Sequence, residues 1–269
     1  MNAFPVVQRE LRVAARQPRT YYQRMVPVAI AVVVLAYTWF WARALGVGRG
    51  GGEVFELLVH LANWISLGAG ATLTADAISR ERREGTLGFL FLSHLSGWDV
   101  VLGKLAAHAL HAFYALLATM PVLALPLLAG GVTPGRFWWA MLVLANTLFF
   151  AVSFGLWVSS ASSDARRAQR AAYGLVFLYW LGPPLLNFLA RHLEWPDSWA
   201  RLAVELSPLT ALGSAAGGGV SAGRALLFAH LQAWLFVAGA AWQTARAWHE
   251  RPASRARLRW QSRWRNLTQ

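Results

Sequence analysis

The sequence predicts an all-α integral membrane protein with six transmembrane helices. Hydrophobic residues make up 57% of the chain and charged residues 14%, which lies outside the usual balance of a soluble globular protein. Six runs are apolar over the roughly 20 residues that a helix needs to cross a hydrocarbon core. If each run crosses the membrane once, nineteen of the 25 Lys and Arg lie on one side of the membrane. Such an asymmetry is typical of multi-pass membrane proteins.

The apolar runs divide the chain into three regions. Residues 1–24 form an amphipathic cytoplasmic segment, residues 25–248 the six-helix transmembrane domain, and residues 249–269 a basic cytoplasmic tail. The six spans are predicted at 25–45, 54–78, 100–128, 137–160, 171–193 and 225–248.

Two of the spans contain paired prolines. The third holds Pro121 and Pro126, and the fifth holds Pro183 and Pro184. Proline has no backbone N–H and its ring clashes with the preceding helical turn. We therefore expect a kink or a break in both spans.

The segments outside the spans have patterns of surface helices. At the N-terminus the apolar residues share one helical face and the arginines another, which is typical of a helix lying on the membrane. These two sets are Val7, Leu11 and Ala14 against Arg9, Arg12 and Arg16. Residues 191–224 are rich in apolar residues and Trp, which predicts short outer helices between the fifth and sixth spans. The tail is either a similar helix or a solvated basic segment that only fixes the topology.

The net charge of +13 follows from the membrane topology. The positive-inside rule places both termini in the cytoplasm, and we expect the chain to lie in the cytoplasmic (inner) membrane. Most of the charge then lies at cytoplasmic edges near anionic lipid headgroups, so membrane lipids rather than nucleic acid are the expected partners. The first 24 residues have no continuous apolar core, so the first span is predicted to be an uncleaved anchor.

Enzymatic sites are not indicated by the sequence. The chain has no Cys, which excludes thiolate metal sites and a thiol nucleophile. The stretch GWDVVLGKL has five residues between Gly97 and Gly103 where a P-loop has four, and Leu105 follows the lysine where Ser or Thr would hold Mg²⁺. No G-x-S-x-G elbow occurs. We predict no catalytic, cofactor or metal residues, and ATP hydrolysis would take place on another chain.

Two polar stripes lie inside the predicted spans. Glu56, His60 and Asn63 share one face of the second span, and Lys104, His108 and His111 follow one face of the third. Polar residues in a membrane face protein or water by default. Helix packing through hydrogen bonds is the simpler interpretation of both stripes, and a substrate pathway is the functional one. Ligation of a metal or haem by the histidines is the alternative from a different class.

The loop between the second and third spans has an alternating charge pattern that topology alone does not require. Arginines alone would fix the topology, so Glu81 and Glu84 indicate directed pairing, within the chain or with a partner. Gly85 permits a sharp turn and Thr86 can cap a helix over residues 87–95. Ser96 and Asp99 form a capping-box pattern at the start of the third span.

These residues carry a resemblance to a known family. The order E-R-R-E-G-T-L at 81–87, followed by an apolar run and L-G-K at 102–104, resembles the cytoplasmic loop of ABC transporter permeases of the type 2 (exporter) family. The six spans and the N-terminal elbow helix are similar too, and Ser207 and Pro208 match a common outer Ser-Pro. His94 departs from the family, where Pro often follows the apolar run.

The resemblance implies both a mechanism and a set of partners. In that family this loop holds a coupling helix that docks into a groove of a separate ATPase subunit. The implied coupling residues are Glu81, Arg82, Arg83, Glu84, Gly85, Thr86 and Leu87, with Arg9, Arg12 and Arg16 on the elbow helix. Two ATPase copies, with their ATP and Mg²⁺, would work with two permease copies, as a homodimer or a heterodimer.

The sequence therefore predicts the membrane subunit of an ATP-driven exporter. Spans with many apolar and aromatic residues and few internal charges favour a lipidic, amphipathic or drug-like cargo over a small ion. The alternatives are an integral-membrane haem or metal protein using His60, His108 and His111, and a regulatory membrane subunit that transports nothing.

Overall fold

A computed structural model describes residues 4–15, 18–44, 50–92, 95–193, 212 and 220–247, and most of these residues are helical with no strand among them. The helices are α1 (Phe4–Ala15), α2 (Pro18–Ala44), α3 (Gly51–Thr74), α4 (Ala77–Arg83), α5 (Leu87–Leu92), α6 (Gly97–Leu128), α7 (Pro134–Ala161), α8 (Ala165–His192) and α9 (Val220–Ala247). The prediction of an all-α protein is confirmed for this part of the chain.

Six of these helices are long and coincide with the six predicted spans. Four stretches are apolar enough over their length to cross a membrane: Gly51–Arg83, Gly97–Leu128, Pro134–Ala161 and Ala222–Arg246. Within α2 the apolar part is shorter, at Met25–Phe40, and α8 is not one of the four. Four of the predicted spans are thus supported by length and composition, and crossings by α2 and α8 stay predictions.

The proline-containing helices are continuous. Helix α6 runs through Pro121 and Pro126, and α8 runs through positions 183–184. The predicted breaks are therefore wrong. A proline removes only local hydrogen bonds, whereas packing against neighbouring helices keeps the flanking turns helical. A kink at either site stays a prediction.

Helix α7 is the centre of the bundle, with buried residues along nearly its whole length. Its C-terminal half packs with α4, α6 and α9 around Val101, Val152 and Leu156, and its N-terminal half packs with α3 and α6 around Phe55 and Leu144. A helix that is apolar all round is expected at such a central position.

Small residues bring α3 and α7 into close contact. A Cβ atom on Gly70 would lie 2.7 Å from that of Ala151, and one on Gly155 would overlap Thr74 and the Ala71 carbonyl. The Thr74 hydroxyl lies 3.1 Å from the Val152 carbonyl oxygen of α7. Close backbone approach through small residues is a usual way for helices to associate in lipid, where apolar burial supplies no driving force. We name this contact the α3–α7 seam, defined by Gly70, Ala71, Thr74, Ala151 and Gly155.

Large apolar side chains are exposed on the outside of the bundle. They lie on α2, α6, α8 and α9 and include Val33, Phe113, Phe177 and Leu235. An apolar surface of this extent is expected where helices face lipid. This surface and the four apolar stretches together indicate an integral membrane protein.

The local signals at helix ends are largely confirmed. Ser96 and Asp99 form the predicted capping box at the start of α6, and Gly85 has the positive φ of +72° that its turn needs. Helix α5 is described over Leu87–Leu92, residue 95 is not helical, and residues 93–94 lie outside the described residues. The outer segment 194–211 and the tail 249–269 also lie outside them, as does Arg16.

Candidate functional site: the charged end of the bundle

The short helix α4 is held in place by a serine from the central helix. The first amide groups of a helix have no partner within it. At the start of α4 the amides of Ile78 and Ser79 both donate to the Ser159 hydroxyl oxygen, at 2.8 and 3.0 Å. Ser159 is fully buried near the end of α7. The orientation of α4 is therefore coupled directly to α7.

Two ion pairs lie on the exposed side of α4. Arg83 donates through both terminal nitrogens to the two carboxylate oxygens of Asp76, each at 2.8 Å. Arg80 pairs with Glu84 one turn later, at 2.8 Å. Because these pairs are largely in solvent, each contributes little to stability, about 0.2–1 kcal/mol. Their charges remain available to a partner.

Glu81 points the other way, into the protein. Only 8% of its side chain is exposed, and one carboxylate oxygen lies 3.1 Å from the Lys104 ammonium of α6. The same carboxylate contacts Arg9 of α1 and the Thr86 hydroxyl. Lys104 also binds Glu10 of α1 at 2.9 Å. We name Arg9, Glu10, Glu81, Thr86 and Lys104 the charge network.

The charge network joins three segments that are far apart in the sequence. It links the N-terminal helix α1, the loop after α4 and the start of α6 through groups that are mostly removed from water. The Lys104 side chain is only 4% exposed. Removing one member of a buried pair leaves an uncompensated charge, which is strongly destabilising. Ion pairs therefore connect these three segments.

The seven predicted coupling residues differ in environment. Arg83, Glu84 and Gly85 are exposed, and Arg82 and Thr86 are half-buried. Glu81 and Leu87 are buried. A partner could touch the first group directly, whereas Glu81 and Leu87 support the loop from inside. The alternating charges indicated directed pairing of both glutamates. In the structure Glu81 pairs with Arg9 and Lys104, and Glu84 pairs with Arg80. Thr86 as a cap of α5 stays a prediction.

On α1 the sequence reasoning missed the central residue. Arg9 and Arg12 are exposed as expected for a helix on the membrane surface. Arg9, however, also reaches Glu81, and Glu10 is the link to Lys104. A single acid among the arginines of α1 was the available signal. A lone carboxylate in a basic segment favours a specific cationic partner.

The residues of the first polar stripe differ in burial. Glu56 pairs with Arg136 at the opposite end of the bundle from the charge network, and His60 Nδ1 lies 2.8 Å from the Glu56 carbonyl oxygen. Both side chains are exposed. Asn63 is 2% exposed, and its carbonyl oxygen has no hydrogen bond among the described residues. Glu56 thus forms an interhelical ion pair, while packing of Asn63 through an interhelical hydrogen bond stays a prediction.

The second stripe lines a cavity. The cavity has a volume of about 780 Å³ and lies among α1, α2, α3, α4, α6 and α7, with Arg9, Glu10, Glu81 and Lys104 of the charge network at one end. His108 and His111 face it one and two turns beyond Lys104. His111 Nδ1 lies 3.3 Å from the Ala107 carbonyl oxygen. Within the described residues no three His, Asp or Glu side chains gather closely enough to hold a metal ion.

A second polar chain, between α7 and α9, was not predicted. The Trp234 indole N–H donates to His230 Nε2 at 3.1 Å, so His230 Nδ1 carries the hydrogen that it donates to the Asn146 side-chain oxygen at 2.9 Å. The Asn146 amide nitrogen lies 3.3 Å from the Leu226 carbonyl oxygen. The spacing of His230 and Trp234, one turn apart on a helix, was the sequence signal.

Comparison with protein families now identifies the chain. Residues 52–198 match the family model of the ABC-2 family transporter protein. The chain belongs to the ABC-2 transporter family. The match covers α3 to α8 and includes the loop 81–87 and its link to Lys104. The comparison with curated proteins found no match.

Family membership supports a role as the membrane permease subunit of a transporter. Permeases of this family work with a separate ATPase subunit in general and are not themselves catalytic. The resemblance seen in the loop sequence is therefore confirmed. The haem or metal alternative gains no support from the part of the chain that the structure describes.

Proposed function

We propose that this ABC-2 permease is the transport subunit of an ATP-driven exporter and that the loop 81–87 transmits the motion of a separate ATPase. The observation that carries the proposal is the inward direction of Glu81. A loop that only fixed topology would not need a buried carboxylate tied to α1 and α6. A loop that transmits force does need such an attachment.

The exposed and buried residues of the loop have different roles in this proposal. Arg83, Glu84 and Gly85 form the surface that the ATPase touches, and the charge network carries the movement of that surface to α1 and α6. Ser159 carries it to the central helix α7. Coupling of this kind requires contacts that differ between the ATP-bound and nucleotide-free states.

The rest of the assembly follows the family pattern. Two ATPase copies, which bind ATP and Mg²⁺, act on two permease copies, as a homodimer or a heterodimer. The chain lies in the cytoplasmic membrane with both termini inside and spans it six times. The residues 1–24 act as the elbow helix and 249–269 as a basic tail.

A paired substitution tests the docking surface. The variant Arg83→Ala/Glu84→Ala is expected to lose the ABC ATPase that co-purifies with the wild-type full-length chain, with only a small loss of stability in thermal unfolding because two exposed ion pairs are removed. The matched control is Glu56→Ala/Arg136→Ala, which removes an exposed ion pair at the other end of the bundle and should retain the ATPase. Unchanged co-purification and ATPase stimulation in the loop variant would contradict the proposal.

A further inference from the structure

The cavity beside the charge network has the form of a ligand site within a single chain. Its volume of about 780 Å³ lies within the range of roughly 300–1,000 Å³ that is typical of small-molecule sites. Its lining includes both Lys104 and Leu123 of α6. These residues are about 28 Å apart along the axis at about 1.5 Å per residue. The cavity is therefore a long, narrow slot rather than a compact chamber.

The polarity of the lining changes along this slot. Charged residues are gathered at the end near α1, and His108 and His111 follow them on α6. Beyond the histidines most of the walls are apolar, with Leu61, Ile65, Leu116, Leu123 and Leu148. A long apolar slot with one polar end is complementary to a molecule with one hydrocarbon chain and a polar head.

Four carboxylates line this end beside Arg9, Arg80 and Lys104, namely those of Glu10, Asp76, Glu81 and Glu84. Each already accepts from an Arg or Lys, so hydrogen-bonding capacity inside the cavity is left open at Lys104 and His108. Glu81 is engaged by Lys104, Arg9 and Thr86, and Glu10 by Lys104 and Arg9. An ammonium group has three donor hydrogens, and Lys104 uses two of them on the glutamates. Within the described residues His108 has no hydrogen bond, and its ring lines the cavity.

An anionic head fits this arrangement better than a cationic one. A carboxylate or phosphate near Lys104 and His108 would gain charge-assisted hydrogen bonds in surroundings of low polarity. A cationic head would meet glutamates that already have cationic partners, and it would be repelled by Lys104 and Arg9.

We propose that the cavity binds an amphiphile with one acyl chain and an anionic head, with the head at Lys104 and His108 and the chain between Leu61 and Leu123. This inference goes beyond the proposed function, because it concerns binding by the isolated chain and needs no ATPase. A failed docking test would leave it intact, and a failed binding test would leave the coupling proposal intact.

Binding of palmitic acid to the purified full-length chain tests the proposal. Palmitic acid is expected to bind saturably, and hexadecanol and hexadecylamine, which have the same chain, about tenfold more weakly or worse. A palmitic acid analogue with a photoreactive group on its chain should label α6 near Leu116. Equal affinity for the three heads, preference for the amine, or labelling only on the outer face of the bundle would overturn the proposal.

Two variants with matched controls locate the head and the chain. His108→Phe removes the head contact and Ala115→Trp fills the slot, so each should weaken palmitic acid binding about tenfold. The controls are His60→Phe, an exposed histidine of α3, and Ala106→Trp, an exposed alanine of α6; neither residue lines the cavity, and both should bind normally. Thermal unfolding checks that each variant is folded. Wild-type affinity in both folded cavity variants would refute the site.

Discussion

The two sides of α3 are built in opposite ways. Towards α7 the seam is close-packed, with glycines that leave no room for a Cβ atom. Towards α2 and α6 the helix borders the cavity and, at its end, the charge network. Close-packed interiors resist deformation, whereas segments with few buried apolar contacts rearrange at lower cost. The difference predicts that α3 and α7 move as a unit and that α1 and α2 shift against it.

The largest expected effect comes from filling the α3–α7 seam. Gly155→Val places a Cβ atom within 2.4 Å of both the Thr74 hydroxyl and the Ala71 carbonyl oxygen, and two methyl groups extend from it. Because backbone cannot give way as a flexible side chain can, the free energy of unfolding should fall by about 3 kcal/mol or more. The measurement is thermal unfolding of the purified protein in detergent.

Gly68→Ala is the control for the seam. Gly68 is on the same helix α3, and a Cβ atom there would meet nothing within 4 Å. This variant should be as stable as the wild type or slightly more so, since alanine is the better helix former. Equal loss in both variants would mean that the seam is not the rigid side.

The features of the molecule that depend on local sequence could be predicted, whereas the charge network beside the cavity could not. Long apolar runs, the turn at Gly85 and the capping box of Ser96 and Asp99 are local signals, and they could be predicted because each depends on a few neighbouring residues. The link between Glu10 and Lys104 joins positions 94 residues apart. No local sequence pattern shows which carboxylate pairs with which ammonium group, so the charge network could be identified only from the fold.

The candidate site shows the same limit. The alternating charges marked Glu81 and Glu84 together, yet one is buried and the other exposed. The helical period alone does not separate them, because residues three apart lie only about 60° apart around the axis. Glu81 lies within α4 and Glu84 directly follows its end, and α4 is fixed by Ser159 of α7. The side of α4 that turns inward is therefore decided by a residue from another helix, which the sequence of the loop does not reveal.

The second largest effect is expected at the charge network. Lys104→Met leaves Glu81 and Glu10 with only Arg9 as a cation, so the free energy of unfolding should fall by about 2–3 kcal/mol. Adding Glu81→Gln should recover part of this loss, because the uncompensated carboxylate is then gone. The measurement is a double-mutant cycle by thermal unfolding.

The exposed pair Arg80 and Glu84 is the control for that cycle. These residues are on the same helix and loop, with side chains 65% and 52% exposed. Replacing them by Met and Gln should give a coupling of only about 0.3–0.5 kcal/mol. A coupling as large as that of Lys104 and Glu81 would show that burial does not distinguish the two pairs.

A smaller effect is expected where α4 meets the rigid side. Ser159→Ala removes the oxygen that accepts from Ile78 and Ser79, which should cost about 1–2 kcal/mol. If α4 transmits motion to α7, ATPase stimulation should fall while ATPase co-purification is retained. Ser163→Ala, at an exposed position just after α7, should change neither. Loss of co-purification together with stimulation would assign Ser159 to docking instead.

The smallest effect is expected at the neutral hydrogen-bond chain of α7 and α9. His230→Leu removes the acceptor of Trp234 and the donor to Asn146, and interhelical hydrogen bonds in membranes contribute about 0.6 kcal/mol on average. His60→Leu is the control, because the hydrogen bond of His60 stays within its own helix. Thermal unfolding should separate the two variants by about that amount. A loss of several kcal/mol in the His230 variant would mean that these hydrogen bonds belong to the rigid side of the bundle, together with the α3–α7 seam. Only polar groups that are packed and fully hydrogen-bonded carry such a penalty when one of them is removed.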